Sequence, residues 1–448
     1  MNATETASAV GSKLLVLASS LLYLPLRWRP VGTVPIGGIL WLPKLLAGAL
    51  SPFIAGLGAA LGLYGWVRRS RAIAVPAGVA AIAAAVAVMR VGAPSEELDR
   101  AFGSDWSRLI PEERTSKMID RRWRGRLPGV PEPRRERDVT YWSDPDTGRA
   151  LHCDVWRPPA GVDPSGVAFV YLGGGAWYLL DRDLGTGPAF RHLAAQGHVI
   201  VNVEYRVYPE TDIPGMVRDA KRAVAWLKSS ADEYDVDPDR VVIGGGSAGA
   251  HLAMLAAYAP QHPELTPSAL SDVDLTVRGA VSLYGQVDLE ATFYHLGQET
   301  LHPDDPEPEW DAPLPSWARQ VFGPDATRGE FEKLTVAGRL DWLMGGTPAQ
   351  VPDRYAVQSP VHHVDRDCPP TLLVHGEHDQ MAPISPVREL RGRLERSGVP
   401  VVGDFLPHVD HGFDLVLPTW SPSARVVIYD LERFLAIVEV MDHGETNQ

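Results

Sequence analysis

The sequence predicts an α/β domain, a mostly parallel central sheet with helices on both faces, joined to N-terminal transmembrane helices. Three observations carry that expectation. After residue 139, short apolar and β-branched runs alternate with helix-forming segments. Within them, Arg240-Val241-Val242-Ile243 leads through Gly244-Gly245-Gly246-Ser247-Ala248-Gly249 into the helix former Leu252-Ala253-Met254-Leu255-Ala256-Ala257. Before them, no acidic residue occurs between Leu14 and Val91, where long apolar runs dominate.

Composition bounds the function classes. A chain of 448 residues suggests a main domain with an appendage. The net charge of −14 argues against nucleic acid as a partner, since phosphate binding needs a basic face. The two cysteines, Cys153 and Cys368, stand far apart and in no metal-ligand spacing; they permit a disulfide without requiring one.

Residues 1–92 read as a hydrophobic membrane region. Leu45 to Val67 and Ala72 to Met89 are each about long enough to cross a bilayer, and only the basic turn Arg68-Arg69-Ser70-Arg71 separates them. Tyr64 and Trp66 lie beside that turn, where interfacial aromatics collect. Leu14 to Leu26 is either a third crossing or a helix in the interface. A signal peptide fits less well, because Glu5 precedes the first lysine and no small-residue cleavage site follows the first apolar run. A buried helical subdomain fits less well too, since Ala72 to Met89 has no polar face. The Arg68–Arg71 turn prefers the cytoplasm, which puts the rest of the chain on the extracytoplasmic side of the cell membrane; Arg27, Arg29 and Lys44 oppose that orientation. Membrane lipids are thus expected partners, and oligomerisation through this region stays open.

Residues 93–138 read as a polar linker with one short helix. Strands are expected at Val139 to Trp142, Leu151 to Trp156, Val167 to Leu172, Val199 to Tyr205, Val241 to Ile243, Ala280 to Tyr284, Thr371 to His375 and Val401 to Leu406. Helices are expected at Met216 to Ser229, Ala248 to Tyr258, Pro386 to Ser397 and Ala424 to Ile437, within a domain spanning about 139–440. An insert at about 289–358 holds Phe293, Tyr294, Trp310, Trp317, Phe322, Trp342 and Met344. It is either a cap over the site or a small core of its own.

The serine needs a strained turn that lifts its hydroxyl clear of the backbone, which glycines on either side permit. It also needs partners. Gly173-Gly174-Gly175 follows the third strand and can aim backbone amides at a developing oxyanion; no Gly-Lys-Ser/Thr follows, as a phosphate loop would require. Asp379 lies just past the strand Thr371 to His375, and His411 precedes Gly412-Phe413 after the last strand. A neutral imidazole can take the serine proton while a buried carboxylate fixes its tautomer. His375, His378 and His408 are nearby alternatives. Asp410, adjacent to His411, is poorly placed to reach its ring. His375, His378 and His411 lack a metal-ligand motif, and serine-based acyl transfer needs neither metal nor organic cofactor, so none is expected.

Together the glycine loop, the Gly-Gly-Ser-Ala-Gly turn, His375-Gly376-Glu377-His378-Asp379 and His411-Gly412-Phe413 resemble the hormone-sensitive lipase-like branch of the α/β-hydrolases, nearest its bacterial carboxylesterases and formamidase-like esterases. Val203 to Glu210 and Asp219 to Leu227 resemble further segments of that family, and the similarity runs from about Val139 to Ala436. The resemblance implies an α/β-hydrolase fold. Ser247 would be the nucleophile, Asp379 the acid and His411 the base, with the amides of Gly174, Gly175 and Ala248 as the oxyanion hole. One position departs: Gly173 stands where the family carries a histidine that helps hold the loop. The expected function is a membrane-anchored serine carboxylesterase or lipase acting on small-molecule or lipid esters. Amidase, formamidase and acyltransferase chemistry would use the same residues. A non-catalytic receptor or scaffold is the contrasting reading.

Overall fold

The computed structural model describes residues 3–26, 30–31, 34–179, 182, 185–298 and 339–441. Its centre is an eight-stranded sheet. The strands are β1 (Arg134–Ser143), β2 (Ala150–Arg157), β3 (Gly166–Leu172), β4 (Val199–Val203), β5 (Val236–Gly246), β6 (Gly279–Leu283), β7 (Thr371–Gly376) and β8 (Val401–Leu406). Their spatial order is β8-β7-β6-β5-β3-β4-β2-β1. The pairs β1–β2 and β2–β4 are antiparallel and all others parallel. This is the α/β-hydrolase fold.

All eight expected strands are present. The central ones are apolar runs because helices cover both sheet faces, and every residue of β4, β6 and β7 is buried. The edge strand β1 shows its position by register shifts against β2, with Asp138 at φ 54° between them.

Among the described residues the chain opens with four long helices: α1 (Ala3–Tyr23), α2 (Ile36–Ala49), α3 (Ser51–Val67) and α4 (Arg71–Val91). Those covering the sheet include α5 (Gly187–Ala195), α6 (Ile213–Ser229), α7 (Ala248–Tyr258), α8 (Ile384–Arg396) and α9 (Pro422–Val440). Helix α7 is buried along its whole length, which its alanine-rich sequence allows.

Thr4–Tyr23 and Arg71–Val91 are long and apolar enough to cross a membrane, and a third span results if the bent pair Leu40–Ala49 and Ser51–Val67 is counted as one. The expected straight span from Leu45 to Val67 is therefore broken. It bends by 71° around Leu50, because Pro52 has no amide to return to the preceding turn and its ring would collide with that turn's carbonyl. The freed Gly48 carbonyl accepts instead from the Ser51 hydroxyl at 2.7 Å. Helices α3 and α4 approach closely through small residues: a Cβ at Gly58 would lie 2.9 Å from the Ala77 carbonyl oxygen. Leu57, Leu63, Trp66, Val75, Val79, Ile82 and Met89 remain exposed on their outer faces.

The stretch expected as a linker instead packs on the α/β domain. It holds the short helices Glu97–Phe102, Trp106–Leu109 and Glu112–Thr115, and its last residues already belong to β1. Arg114 pairs with Glu439 at 3.1 Å, and buried Arg122 pairs with Asp430 at 3.0 Å and also with Asp404. Its basic residues thus meet acids on α9 and β8.

Of the insert, residues 299–338 lie outside the described residues, including Trp310, Trp317 and Phe322. Phe293, Leu340, Leu343, Met344 and Tyr355, on the flanks, join the main core. Both cysteines are free and buried.

Candidate active site

In the order of strands, the chain runs from β3 outward to β4 and then returns to lay β5 on the other side of β3. A crevice forms at such a reversal beyond the carboxyl ends of the strands. The glycine loop leaves β3 there, Ser247 follows β5, Asp379 follows β7 and His411 follows β8.

Ser247 has φ 53° and ψ −125°, a conformation that L residues adopt only when their surroundings enforce it. Its amide donates to the Leu283 carbonyl at 2.9 Å, tying the turn to β6. Close approach explains the glycines: a Cβ at Gly249 would run into the Leu172 carbonyl oxygen, and one at Gly174 would stand 2.9 Å from Ser247 Cβ. The loop of Gly174 and the turn of Ser247 therefore lie in direct contact, with Ala248 starting α7 beside them.

His411 Nε2 lies 2.7 Å from Ser247 Oγ, and its Nδ1 lies 2.8 Å from Asp379 Oδ2. A carboxylate only accepts, so Nδ1 carries the proton and Nε2 is left to accept from the serine hydroxyl. Asp379 Oδ1 accepts from the amides of Met381 and Ala382 at 2.8 and 2.7 Å. Burial alone would raise the Asp379 pKa; the facing His411, together with His375 and the Ala382 amide, outweighs it and holds the carboxyl below its ordinary value. All three side chains are buried.

Of the alternatives, His378 packs its ring on that of His408 at 5.0 Å, and the other three make polar contacts of their own. His375 Nε2 donates to the Ala382 carbonyl at 2.9 Å, and His408 Nε2 lies 2.9 Å from an Arg90 nitrogen. Asp410 Oδ1 accepts from the backbone amides of His411 and Gln380, while Oδ2 meets Lys44 at 3.0 Å.

Sequence reasoning left the loop's support open at Gly173. Two interactions supply it. The Tyr205 hydroxyl donates to the Gly173 carbonyl at 2.6 Å. Trp177 Nε1 donates to His251 Nδ1 at 3.1 Å, and His251 Nε2 donates onward to the Gln358 carbonyl at 2.7 Å. Burial drives the His251 pKa down to about 4, so the ring stays neutral in this arrangement. Ala176 and Trp177 sit at φ 52° and 68°, a strained path that these anchors maintain. Tyr205 belongs to the Val203–Glu210 segment whose resemblance was noted, but nothing in the sequence marked its target. On the far side, the Tyr284 ring lies 4.9 Å from that of His411, and its hydroxyl donates to Asp414 at 2.6 Å.

A family model described as BD-FAE matches residues 153–310 and 327–394, which run from within β2 through β7 and include the glycine loop, Ser247 and Asp379, while β8 and His411 lie beyond the match. The chain belongs to the BD-FAE family. Among curated relatives, LipM of Mycobacterium tuberculosis strain H37Rv, described as a probable carboxylic ester hydrolase, is 33% identical over 68% of this chain and 62% of its own length. The chain thus spans under two thirds of LipM. The esterase LipQ of the same organism is 27% identical over 75% of this chain and 72% of its own. The butyrate-bound esterase Est2 of Thermogutta terrifontis is similar in structure at TM-score 0.49 and 22% identity, over 69% of this chain and 94% of that one.

Proposed function

We propose that this protein is a membrane-anchored serine hydrolase of carboxylic esters. The observation that carries the reading is the hydrogen-bonded series Asp379–His411–Ser247 on a serine in a strained turn. Ser247 Oγ attacks the ester carbonyl as its proton passes to His411 Nε2, and Asp379 stabilises the resulting imidazolium. The carbonyl oxygen becomes an oxyanion facing the amides of Gly174, Gly175 and Ala248. Collapse expels the alcohol, which takes the proton from His411 and leaves an acyl-serine. Water then attacks the acyl carbonyl as its proton passes to the same imidazole, and breakage of the bond to Oγ releases the acid while His411 returns that proton to Ser247.

The esterase descriptions of LipM and LipQ support this reaction type. The bonds to Gly173 and Trp177 support a formed oxyanion loop despite the missing family histidine, which counts against a non-catalytic receptor. The apolar helices support anchoring in the cell membrane, and the Arg68–Arg71 turn favours an extracytoplasmic α/β domain. A site beside such helices favours hydrophobic or lipid-like esters.

Hydrolysis of p-nitrophenyl esters of graded acyl length, with wild type and Ser247→Ala in parallel, tests the reading. Turnover should vanish with the substitution. Equal rates in both proteins would sink it. Amide substrates run beside the esters separate esterase from amidase.

A further inference from the structure

We infer that the apolar N-terminal region is a working part of the active site, with Trp41 and Lys44 of α2 acting as positioning residues for His411. The inference rests on the Ser247–His411–Asp379 reading above.

The loop carrying His411 is held from one side by Asp379, which meets only the ring. From the other side α2 holds its backbone. Trp41 Nε1 donates to the His411 carbonyl at 2.8 Å. Lys44 Nζ pairs at 3.0 Å with Asp410, whose other oxygen accepts the His411 amide at 2.8 Å. Both peptide groups flanking the His411 Cα are thereby fixed by side chains of the N-terminal region, directly at one end and through Asp410 at the other. The Trp41 ring also lies against Gly412, where a Cβ would come within 3.3 Å of it. Arg90 of α4 and the Tyr23 ring of α1 meet His408 in the same loop, at 2.9 and 4.8 Å.

The chemistry of Lys44 singles it out. It is the sole charged residue between Pro30 and Val67, and it is buried with its partner. A lone ammonium in an apolar stretch is costly to keep, and a buried ion pair seldom stabilises more than an apolar pair of similar volume. What the pair does supply is direction. Burial, and after it the neighbouring Asp379, raises the pKa of Asp410, while Lys44 opposes the rise. Lys44 favours the charged form of Asp410, whose other oxygen holds the His411 amide. Without Lys44, a buried carboxylate next to Asp379 has to take a proton or move, and the imidazole moves with it. A displacement near 1 Å at a reacting group costs about 10²-fold in rate.

The test uses the full chain in detergent micelles with p-nitrophenyl butyrate, and counts active sites with a fluorophosphonate so that kcat is per competent site. Lys44→Met should lower kcat by about 10²-fold with KM little changed. Lys44→Arg should recover most of the loss, and adding Asp410→Asn to Lys44→Met should recover part of it by removing the stranded carboxylate. Trp41→Phe keeps the ring and loses only the N–H, and kcat should fall about tenfold. Should Lys44→Met not fold, Trp41→Phe carries the same test. Wild-type kcat per site in the folded variants overturns the inference, as does a loss confined to the number of competent sites. If Ser247→Ala abolishes turnover in that case, only the role of α2 falls. If Ser247→Ala retains turnover, the reading beneath it falls as well.

Discussion

Replacing Asp379 by asparagine changes one atom and no volume, which makes its effect on the site calculable. The two amides of Met381 and Ala382 at Oδ1 demand an acceptor, so the asparagine carbonyl oxygen stays there. Its NH2 then faces His411 Nδ1 at 2.8 Å, where the carboxylate oxygen had been. Two donors cannot face each other. Nδ1 therefore becomes the acceptor and the ring proton moves to Nε2, 2.7 Å from Ser247 Oγ. In that tautomer the imidazole donates to the serine and cannot take its proton. The expected loss is about 10⁴-fold in kcat, equivalent to about 5 kcal/mol in the transition state, with KM nearly unchanged. Steady-state hydrolysis of p-nitrophenyl butyrate across neutral pH measures it, with the rate of fluorophosphonate labelling as a second readout. An Asp379→Asn protein that folds normally and retains a tenth of wild-type kcat would refute the assigned tautomer and the role of Asp379.

Further predictions follow from the same geometry. Tyr205→Phe leaves the Gly173 carbonyl without its donor and should lower kcat several-fold through a looser loop, by a loss of about 1 kcal/mol measured in the same assay. Gly249→Ala drives a methyl into the Leu172 carbonyl and should lower the melting temperature sharply; an unchanged melting temperature would contradict the packing of β3 on α7. Arg122→Met strands Asp404 and Asp430 in the interior and should cost about 3–5 kcal/mol of stability in denaturant unfolding. Burial lowers the pKa of His251 to about 4 and of His198 to about 3, so the unfolded chain binds the extra protons. Their contribution is complete above pH ~6.5 and fades as pH falls towards their folded values, by about 2 kcal/mol each at pH 5. Thermal melts at pH 7 and 5 should separate accordingly, and His251→Gln should narrow the gap.

What was legible in the sequence is what local chemistry imposes. Strands buried on both faces must be apolar runs, so all eight were found, and Ser247, Asp379 and His411 stood out because each punctuates a strand end. Helix Gly187–Ala195 was missed because Gly187-Pro188 reads as a turn, although proline is well suited to a helix start. The break near Leu50 was available in Pro52 but hidden by the uniform hydrophobicity around it. Long-range pairings carry no local signal at all. Lys44 and Asp410 are separated by 366 positions, and Arg122 and Asp404 by 282, so a lone cation in an apolar run and a cluster of basic residues in a presumed linker were the only traces.

The central claim is that Ser247 is the nucleophile. Mass mapping of the full chain after reaction with a fluorophosphonate tests it most directly. The account predicts one adduct per chain on the peptide containing Ser247, absent in Ser247→Ala and formed far more slowly in His411→Gln. Stoichiometric labelling at another residue, with ester hydrolysis surviving Ser247→Ala, would contradict it.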